Sequence, residues 1–199
     1  GKFATAVFNE INDKFSPKEL SDVHVLYLHA HGPGLLNIKS KEVHTLEDLK
    51  GLKIRGGGIV AETIKALGAS PVTMPMPELY QSLQKGVVEG AFYPVEVNKG
   101  WKMAEVVEYT SANYQIAYGL GFFAVLNKDR WNQLPGDVQK TITEINQEWA
   151  VKHGKAWDTS DYDGVRYSLQ QGNTFIGIPE KEAARWKEAV KPVYETYIE

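Results

Sequence analysis

The most constraining feature of the sequence is the alternation of apolar runs and amphipathic segments over residues 52–95. Val60, Ile64 and Leu67 lie at i, i+4 and i+7, which places them on one face of a helix. A second helix is predicted from Pro77, because proline is favoured in the first helical turn. Strands are predicted at 52–55, 71–74 and 91–95. Strands that alternate with helices are typical of parallel βαβ units, so we predict a layered α/β fold.

Further elements flank this region. The segment 23–30 predicts a strand that ends at the turn Gly32-Pro33-Gly34. Residues 138, 142, 145 and 149 are apolar and keep the helical period, which predicts one long helix. Other helices are predicted at 3–11, 101–109 and from Pro179, and other strands at 121–126 and 175–176.

Composition excludes several classes of protein. The 199 residues carry a formal net charge of −3 with both signs interspersed, so we expect no nucleic-acid partner. No stretch approaches the ~20 apolar residues needed to cross a bilayer, so we expect a protein that is not membrane-embedded. The chain has no cysteine, which excludes disulfides and thiolate metal sites.

Arg55 ends the first predicted strand of the alternating region and precedes three glycines and a helix. Ligands in open α/β sheets gather at the carboxyl ends of strands, and helix N-termini attract anions. A guanidinium matches a carboxylate with two hydrogen bonds. The pattern favours an anion site at Arg55, with Gly56 and its neighbours as backbone donors. A surface arginine beside a flexible turn is the alternative that the pattern leaves open.

Motifs for catalysis or cofactor binding are missing from the sequence. The glycine run at 56–61 (GGGIVA) has neither the dinucleotide-binding spacing nor the ending of a Walker loop. We find no nucleophile elbow and no cysteine nucleophile. His29 and His31 lack a third ligand nearby, which favours hydrogen-bonded histidines over a metal site. We therefore expect no catalytic residue, metal or cofactor.

The acidic cluster Asp158, Asp161 and Asp163 lacks the spacing of a calcium-binding loop, so we expect these residues on a solvated helical face.

Several blocks occur in an order that resembles one protein family. They are 49–55 (LKGLKIR), 67–72 (LGASPV), 74–80 (MPMPELY), 83–90 (LQKGVVEG) and 127–131 (NKDRW). From about Val23 to the C-terminus the chain resembles the DctP-type solute-binding subunit of tripartite ATP-independent periplasmic (TRAP) transporters. The resemblance implies a periplasmic binding protein of type II-like fold, with two lobes around a ligand cleft. It also implies a small organic acid as ligand and the membrane permease subunits of the transporter as partners.

The resemblance assigns roles to individual residues. The family's carboxylate-clamping arginine matches Arg55. A cleft position that is often asparagine carries Tyr93 here, one that is often aromatic carries Met76, and an arginine of some acid-sugar binders matches Leu35. These departures replace polar groups with apolar surface, and methionine adapts to irregular ligands. The hypothesis that follows is a carboxylate with a hydrophobic or aromatic tail.

Glu96, Phe92 and Tyr118 are weaker candidates for the border of the cleft. Glu96 has the character of a ligand acceptor, but a solvent-facing position is favoured for it, and Tyr118, which precedes a predicted strand, is compatible with either the cleft or the core. Phe92 alternates with Tyr93 along the strand, so we assign Phe92 to the core.

The resemblance also suggests that about a hundred residues of the first lobe precede this sequence. Residues 1–32 and 121–160 would then be the remaining part of a truncated lobe 1. Residues 33–120 and 161–199 would form lobe 2 with the carboxylate site. The predicted function is an extracytoplasmic solute receptor that delivers an organic acid to a permease. A ligand-sensing module of a signalling receptor is the alternative, and an α/β enzyme is a third possibility with less support from the sequence.

Overall fold

A computed structural model describes residues 1–198. The helices are α1 (Lys2–Phe15), α2 (Ile59–Ala66), α3 (Met76–Gln84), α4 (Glu96–Gly100), α5 (Lys128–Asn132), α6 (Gly136–Gln170) and α7 (Glu180–Ile198). The strands are β1 (Val23–Ala30), β2 (Gly34–Ile38), β3 (Lys53–Arg55), β4 (Ser70–Val72), β5 (Gly90–Pro94), β6 (Tyr109–Ala112), β7 (Gly121–Asn127) and β8 (Thr174–Gly177). Short 3-10 turns lie at Lys18–Leu20, Leu46–Leu49 and Met103–Glu105.

The chain divides into two compact units. Unit 1 contains residues 1–32 and 119–160, and unit 2 contains residues 33–118 and those from 161 onward. The division crosses the chain inside α6, at Ser160 and Asp161. The assignment of these units to the two lobes of a binding protein stays a prediction.

Unit 1 is built on an antiparallel pair of strands, β1 and β7. Helix α1 lies along β1, and its side chains form hydrogen bonds with the backbone N–H and carbonyl groups of β1. The Asn9 amide accepts from the Leu28 N–H at 3.1 Å and donates to the Leu28 carbonyl at 2.7 Å. The Thr5 hydroxyl accepts from the Ala30 N–H at 3.0 Å. These bonds pair backbone groups of β1 that would otherwise be open to another strand.

Unit 2 is built on a six-stranded sheet with the order β4-β3-β5-β2-β6-β8. Strands β3, β4 and β5 are mutually parallel, and β6 and β8 are parallel to each other. Strand β2 runs antiparallel to both of its neighbours, β5 and β6. The carboxyl ends of β3, β4, β5 and β6 therefore meet at the edge where β2 begins.

Both faces of this sheet are covered by apolar side chains. One cluster contains Ile54, Ile64, Phe92 and Trp186, and it joins the sheet to α2 and α7. The opposite cluster contains Leu79, Leu83, Ala91 and Tyr93, and it joins the sheet to α3. Phe92 is a core residue, as predicted. Because β5 is buried on both faces, its neighbour Tyr93 is a core residue as well.

One predicted helix was wrong, and two strands were not predicted. Residues 101–109 do not form one helix, because α4 ends at Gly100 and the chain passes through a 3-10 turn into β6. Strands β2 and β6 were not predicted. All five residues of β2 are buried, so this strand lacks the apolar–polar alternation that reveals a half-exposed strand.

Candidate functional site

The candidate site lies at the edge of the unit 2 sheet where the parallel strands end. Arg55 is the last residue of β3, and Glu96 follows the end of β5. Tyr118 returns to the same edge, because it forms an isolated antiparallel bridge with Gly34, the first residue of β2. The topology thus brings together a cation, an acid and a phenol that lie up to 63 positions apart in the sequence. The carboxyl edge of parallel strands is where ligands of open α/β sheets bind.

The Arg55 guanidinium is held in a fixed orientation. Its Nε and Nη2 atoms donate to the Met74 carbonyl oxygen at 3.2 and 3.1 Å. The side chain is half-buried, and no carboxylate forms an ion pair with it among the side chains of residues 1–196. One side of the planar group is therefore fixed by backbone, and its other N–H donors have the geometry to bind a carboxylate.

The Tyr118 ring packs against the edge of the sheet at Gly34, which has no side chain. A Cβ atom on Gly34 would lie 2.0 Å from the Tyr118 ring, so only glycine fits beside it. The Tyr118 hydroxyl donates to the Phe92 carbonyl at 3.4 Å. Burial raises the pKa of Tyr118 to about 12, while the nearby charge of Arg55 lowers it and that of Glu96 raises it. The phenol therefore stays neutral and lies within the electrostatic reach of both charged groups.

Glu96 is half-buried at the start of α4, so the expected solvent-facing position is not what the structure shows. Its backbone N–H donates to the Asp161 Oδ1 at 3.0 Å. Burial, and then the charge of Asp161, raise the pKa of the Glu96 carboxyl to about 7. At neutral pH a substantial fraction of Glu96 therefore carries a proton and is able to donate a hydrogen bond.

Asp161 also lies at this edge, although its sequence pattern predicted a solvated helical face. It lies on α6, 65 positions from Glu96, and accepts from the Glu96 backbone. Helix α6 reaches this corner because Gly164 lets it approach the chain at Val95. A glycine one helical turn after an aspartate is too weak a sequence signal to reveal this contact.

Gly56 has a structural role instead of the predicted donor role. Its N–H donates to the Val72 carbonyl at 3.1 Å, which continues the pairing of β3 with β4. A Cβ atom at this position would lie 2.5 Å from Ile64 and 2.8 Å from Val60. Glycine is needed here so that α2 packs closely on the end of the sheet, and the Gly56 amide is not available to a ligand.

Leu35 and Tyr93 were expected to line the pocket, but the structure places both in the core. They are direct partners in the β2–β5 register, and each is 1% exposed. The Tyr93 hydroxyl donates to the Asn98 Oδ1 at 3.0 Å, and burial raises the pKa of this phenol well above its usual value. The expectation fails because β5 is covered on both faces, so a position that faces away from one core cluster enters the other.

Replacing Tyr93 with phenylalanine tests its assignment to the core. The change leaves the fully buried Asn98 oxygen without its donor, which we expect to lower the free energy of unfolding by about 1–2 kcal/mol. Urea denaturation monitored by tryptophan fluorescence measures this loss. Affinity for an organic acid should be unchanged. A variant of wild-type stability with weakened acid binding would return Tyr93 to the site.

Met76 and a surface groove are two further features of unit 2. Met76 begins α3 and is partly buried against the cluster of Leu79 and Tyr93, so only part of its side chain is accessible. A separate groove of about 710 Å³ lies between α2 and α7 and includes Ile59, Ala66 and Val193. Arg55 does not line this groove. The two surfaces are therefore distinct places at which an acid could be found.

His29 and His31 are hydrogen-bonded, as predicted. The His29 Nδ1 accepts from the Trp157 Nε1 at 3.1 Å, and the His31 Nδ1 contacts the Gly32 carbonyl. His153 stacks on His29 with ring centroids 3.8 Å apart. Within residues 1–198 no three His, Cys, Asp or Glu side chains are placed to share a metal ion. In the same part of the chain, no helix has the length and apolar character needed to span a bilayer.

The fold and the edge site define a class: an α/β protein with a half-buried guanidinium at the carboxyl ends of parallel strands. The chain belongs to the DctP family, the bacterial extracellular solute-binding proteins of family 7, whose model matches residues 7–199. The predicted family is thereby confirmed.

Relatives of known structure have the same fold. A TRAP solute-binding protein from Rhodoferax ferrireducens in complex with benzoate is 32% identical, with a TM-score of 0.88 over 98% of this chain and 62% of that chain. A marine metagenome TRAP protein specific for aromatic acid ligands, in complex with metahydroxyphenylacetate, is 26% identical, with a TM-score of 0.89 and coverage of 98% and 62%. The predicted class, an α/β fold of the type II-like binding-protein kind, is confirmed by these matches.

A third relative is named for a different ligand, and this chain matches a smaller share of that relative's length. The C4-dicarboxylate-binding periplasmic protein of Rhodobacter capsulatus is 29% identical over 157 residues, which is 77% of this chain and 46% of that protein. The chain thus spans about half the length of this curated relative. These relatives are binding proteins by name, and that of Rhodobacter is named periplasmic.

Proposed function

We propose that this chain is the ligand-binding part of a periplasmic solute receptor that captures an organic acid and delivers it to a TRAP membrane permease. The observation that carries the proposal is the Arg55 guanidinium, fixed by the Met74 carbonyl at the carboxyl edge of the sheet. Membership of the extracellular solute-binding family supports the periplasmic location and the permease as partner. The receptor is not an enzyme, and binding alone is its task.

The proposed contact is a carboxylate on Arg55. A bidentate guanidinium–carboxylate pair in a half-buried position provides both affinity and orientation. Tyr118 offers an aromatic surface beside the guanidinium, and the exposed part of Met76 offers an adaptable one. Since Leu35, Tyr93 and Gly56 are occupied in the core or in backbone pairing, the site consists of Arg55, Tyr118, Glu96 and Met76.

The class of ligand follows from the groups that accompany Arg55 at this edge. A second carboxylate would require a second cation at this edge. The phenol of Tyr118 feels the charges of both Arg55 and Glu96, and an ionised acid repels a further negative charge. We therefore propose a monocarboxylate with an aromatic or apolar body. The aromatic acids named with two solved relatives agree with this choice, and the dicarboxylate named with the Rhodobacter protein is its rival.

Isothermal titration calorimetry with a panel of acids tests this function. The panel contains benzoate and mandelate as aromatic monocarboxylates, succinate as a dicarboxylate and glucuronate as a sugar acid. We expect the two aromatic acids to bind at least about tenfold more tightly than the others, a difference of about 1.4 kcal/mol. Binding of succinate alone would overturn the proposed ligand class. No binding of any acid by this chain would overturn the proposed function.

A further inference from the structure

We propose that capture of the acid is coupled to uptake of one proton, which Glu96 takes up and holds while the ligand occupies the edge. This inference rests on the proposed function, because it concerns the same site. It adds a pH dependence that a guanidinium clamp alone does not have, since arginine stays charged throughout the accessible pH range.

The groups that face Glu96 are arranged against its charged form. On α6, Asp161 accepts from the Glu96 backbone, so a second carboxylate is fixed beside it. On its own helix, the nearest cation is Lys99, and its ammonium is 2.6 Å from Asp163 and so is already paired. The neutral phenol of Tyr118 feels the charges of both Glu96 and Arg55.

Close packing keeps this corner from relaxing. A Cβ atom on Gly164 would lie 2.2 Å from the Val95 carbonyl, so α6 is in direct contact with the backbone that carries Glu96. The Glu96 Oε2 lies beside Gly100 of the same helix, 3.2 Å from where a Cβ atom would be. The backbone of Glu96 is thus fixed against α6, which keeps Asp161 beside it.

An incoming carboxylate adds a further negative charge to this corner. Glu96 would then have an acid on α6 and an acid on Arg55, in a half-buried setting where like charges repel more strongly than in water. Taking up a proton removes the repulsion and converts Glu96 into a hydrogen-bond donor. Since the Glu96 pKa is already about 7 in the free protein, the proton is taken up at a pH found in a periplasm.

Calorimetry with benzoate, repeated at several pH values and at each pH in two buffers of different ionisation enthalpy, measures the coupling. The difference in heat between buffers gives the number of protons taken up. We expect close to one proton per benzoate at about pH 8, close to none at about pH 5.5, and an affinity that falls about tenfold from pH 8 to pH 9. Glu96→Gln should take up no proton, and should bind benzoate more tightly than the wild type at pH 9.

A second variant checks the role of the neighbouring acid. Asp161→Asn keeps an oxygen to accept from the Glu96 backbone but removes the charge. We expect it to move the pH at which proton uptake begins to a lower value. Carbon-13 NMR of the glutamate carboxyl groups provides a readout without ligand, because one resonance should titrate near neutral pH and disappear in Glu96→Gln.

The outcomes separate this inference from the proposed function. If the wild type binds benzoate with the same affinity at every pH and takes up no proton, the coupling is overturned while the receptor function stands. If proton uptake persists in Glu96→Gln, another group takes the proton and the assignment to Glu96 is overturned. If no acid binds at any pH, the proposed function falls and the coupling falls with it.

Discussion

Replacing Arg55 with alanine is expected to weaken the binding of benzoate about 100-fold, which corresponds to about 2.7 kcal/mol. The loss is large because Arg55 provides the charge and the paired donors at the strand edge, and because its orientation is already fixed by the Met74 carbonyl. Arg55→Lys keeps the charge but loses the planar fork, so we expect a loss of about tenfold. Isothermal titration calorimetry measures both changes.

Lys53 supplies the matched control for Arg55. It lies on the same strand, carries the same charge and is exposed. Lys53→Ala removes one positive charge without touching the proposed site, so benzoate affinity should change less than about twofold. Equal losses in Arg55→Ala and Lys53→Ala would mean that net charge, and not the guanidinium, attracts the acid.

Replacing Gly164 with alanine is expected to lower the free energy of unfolding by about 3 kcal/mol. The added methyl would lie 2.2 Å from the Val95 carbonyl oxygen and 2.9 Å from the Glu96 Cα. These are backbone atoms that no rotamer change can move, so α6 or the chain at 95–96 must shift. Urea denaturation measures the loss. Since the same shift displaces Glu96, benzoate affinity should fall as well.

Gly136 provides the matched control in the same helix. A Cβ atom there has no neighbour within 4 Å, so Gly136→Ala adds a methyl in open space. We expect a stability equal to the wild type or up to about 1 kcal/mol higher, because alanine has less conformational entropy to lose on folding. If both alanine variants have the stability of the wild type, α6 does not approach Val95 as closely as described.

The parallel part of the sheet was predictable because its helices repeat a clear period. Val60, Ile64 and Leu67 mark α2, and all three are buried in the structure. The strands around α2 followed from the apolar runs between helices. Strand β2 was not predicted, since its polar residue Asn37 is fully buried. Its amide donates to the Leu35 and Tyr93 carbonyls and its oxygen accepts from Thr110. A sequence pattern does not reveal that a buried polar side chain has hydrogen-bond partners on neighbouring strands.

The candidate site was predictable in part. Arg55 could be proposed because a strand end, a glycine run and a helix start are adjacent in the sequence. Leu35 and Tyr93 were assigned to the pocket because they match cleft positions of the resembling family. That assignment fails because β2 and β5 are buried along their whole length. The contact between Glu96 and Asp161 joins residues 65 positions apart. It depends on where α6 meets the chain at 95–96, and no local pattern encodes that.

A crystal structure of the chain with 4-bromobenzoate decides whether the acid binds at Arg55, because anomalous scattering from bromine locates the acid without ambiguity. We expect a carboxylate with both oxygens about 2.7–2.9 Å from Arg55 guanidinium nitrogens and the ring beside Tyr118. An acid found only in the groove between α2 and α7, with no contact to Arg55, would contradict it.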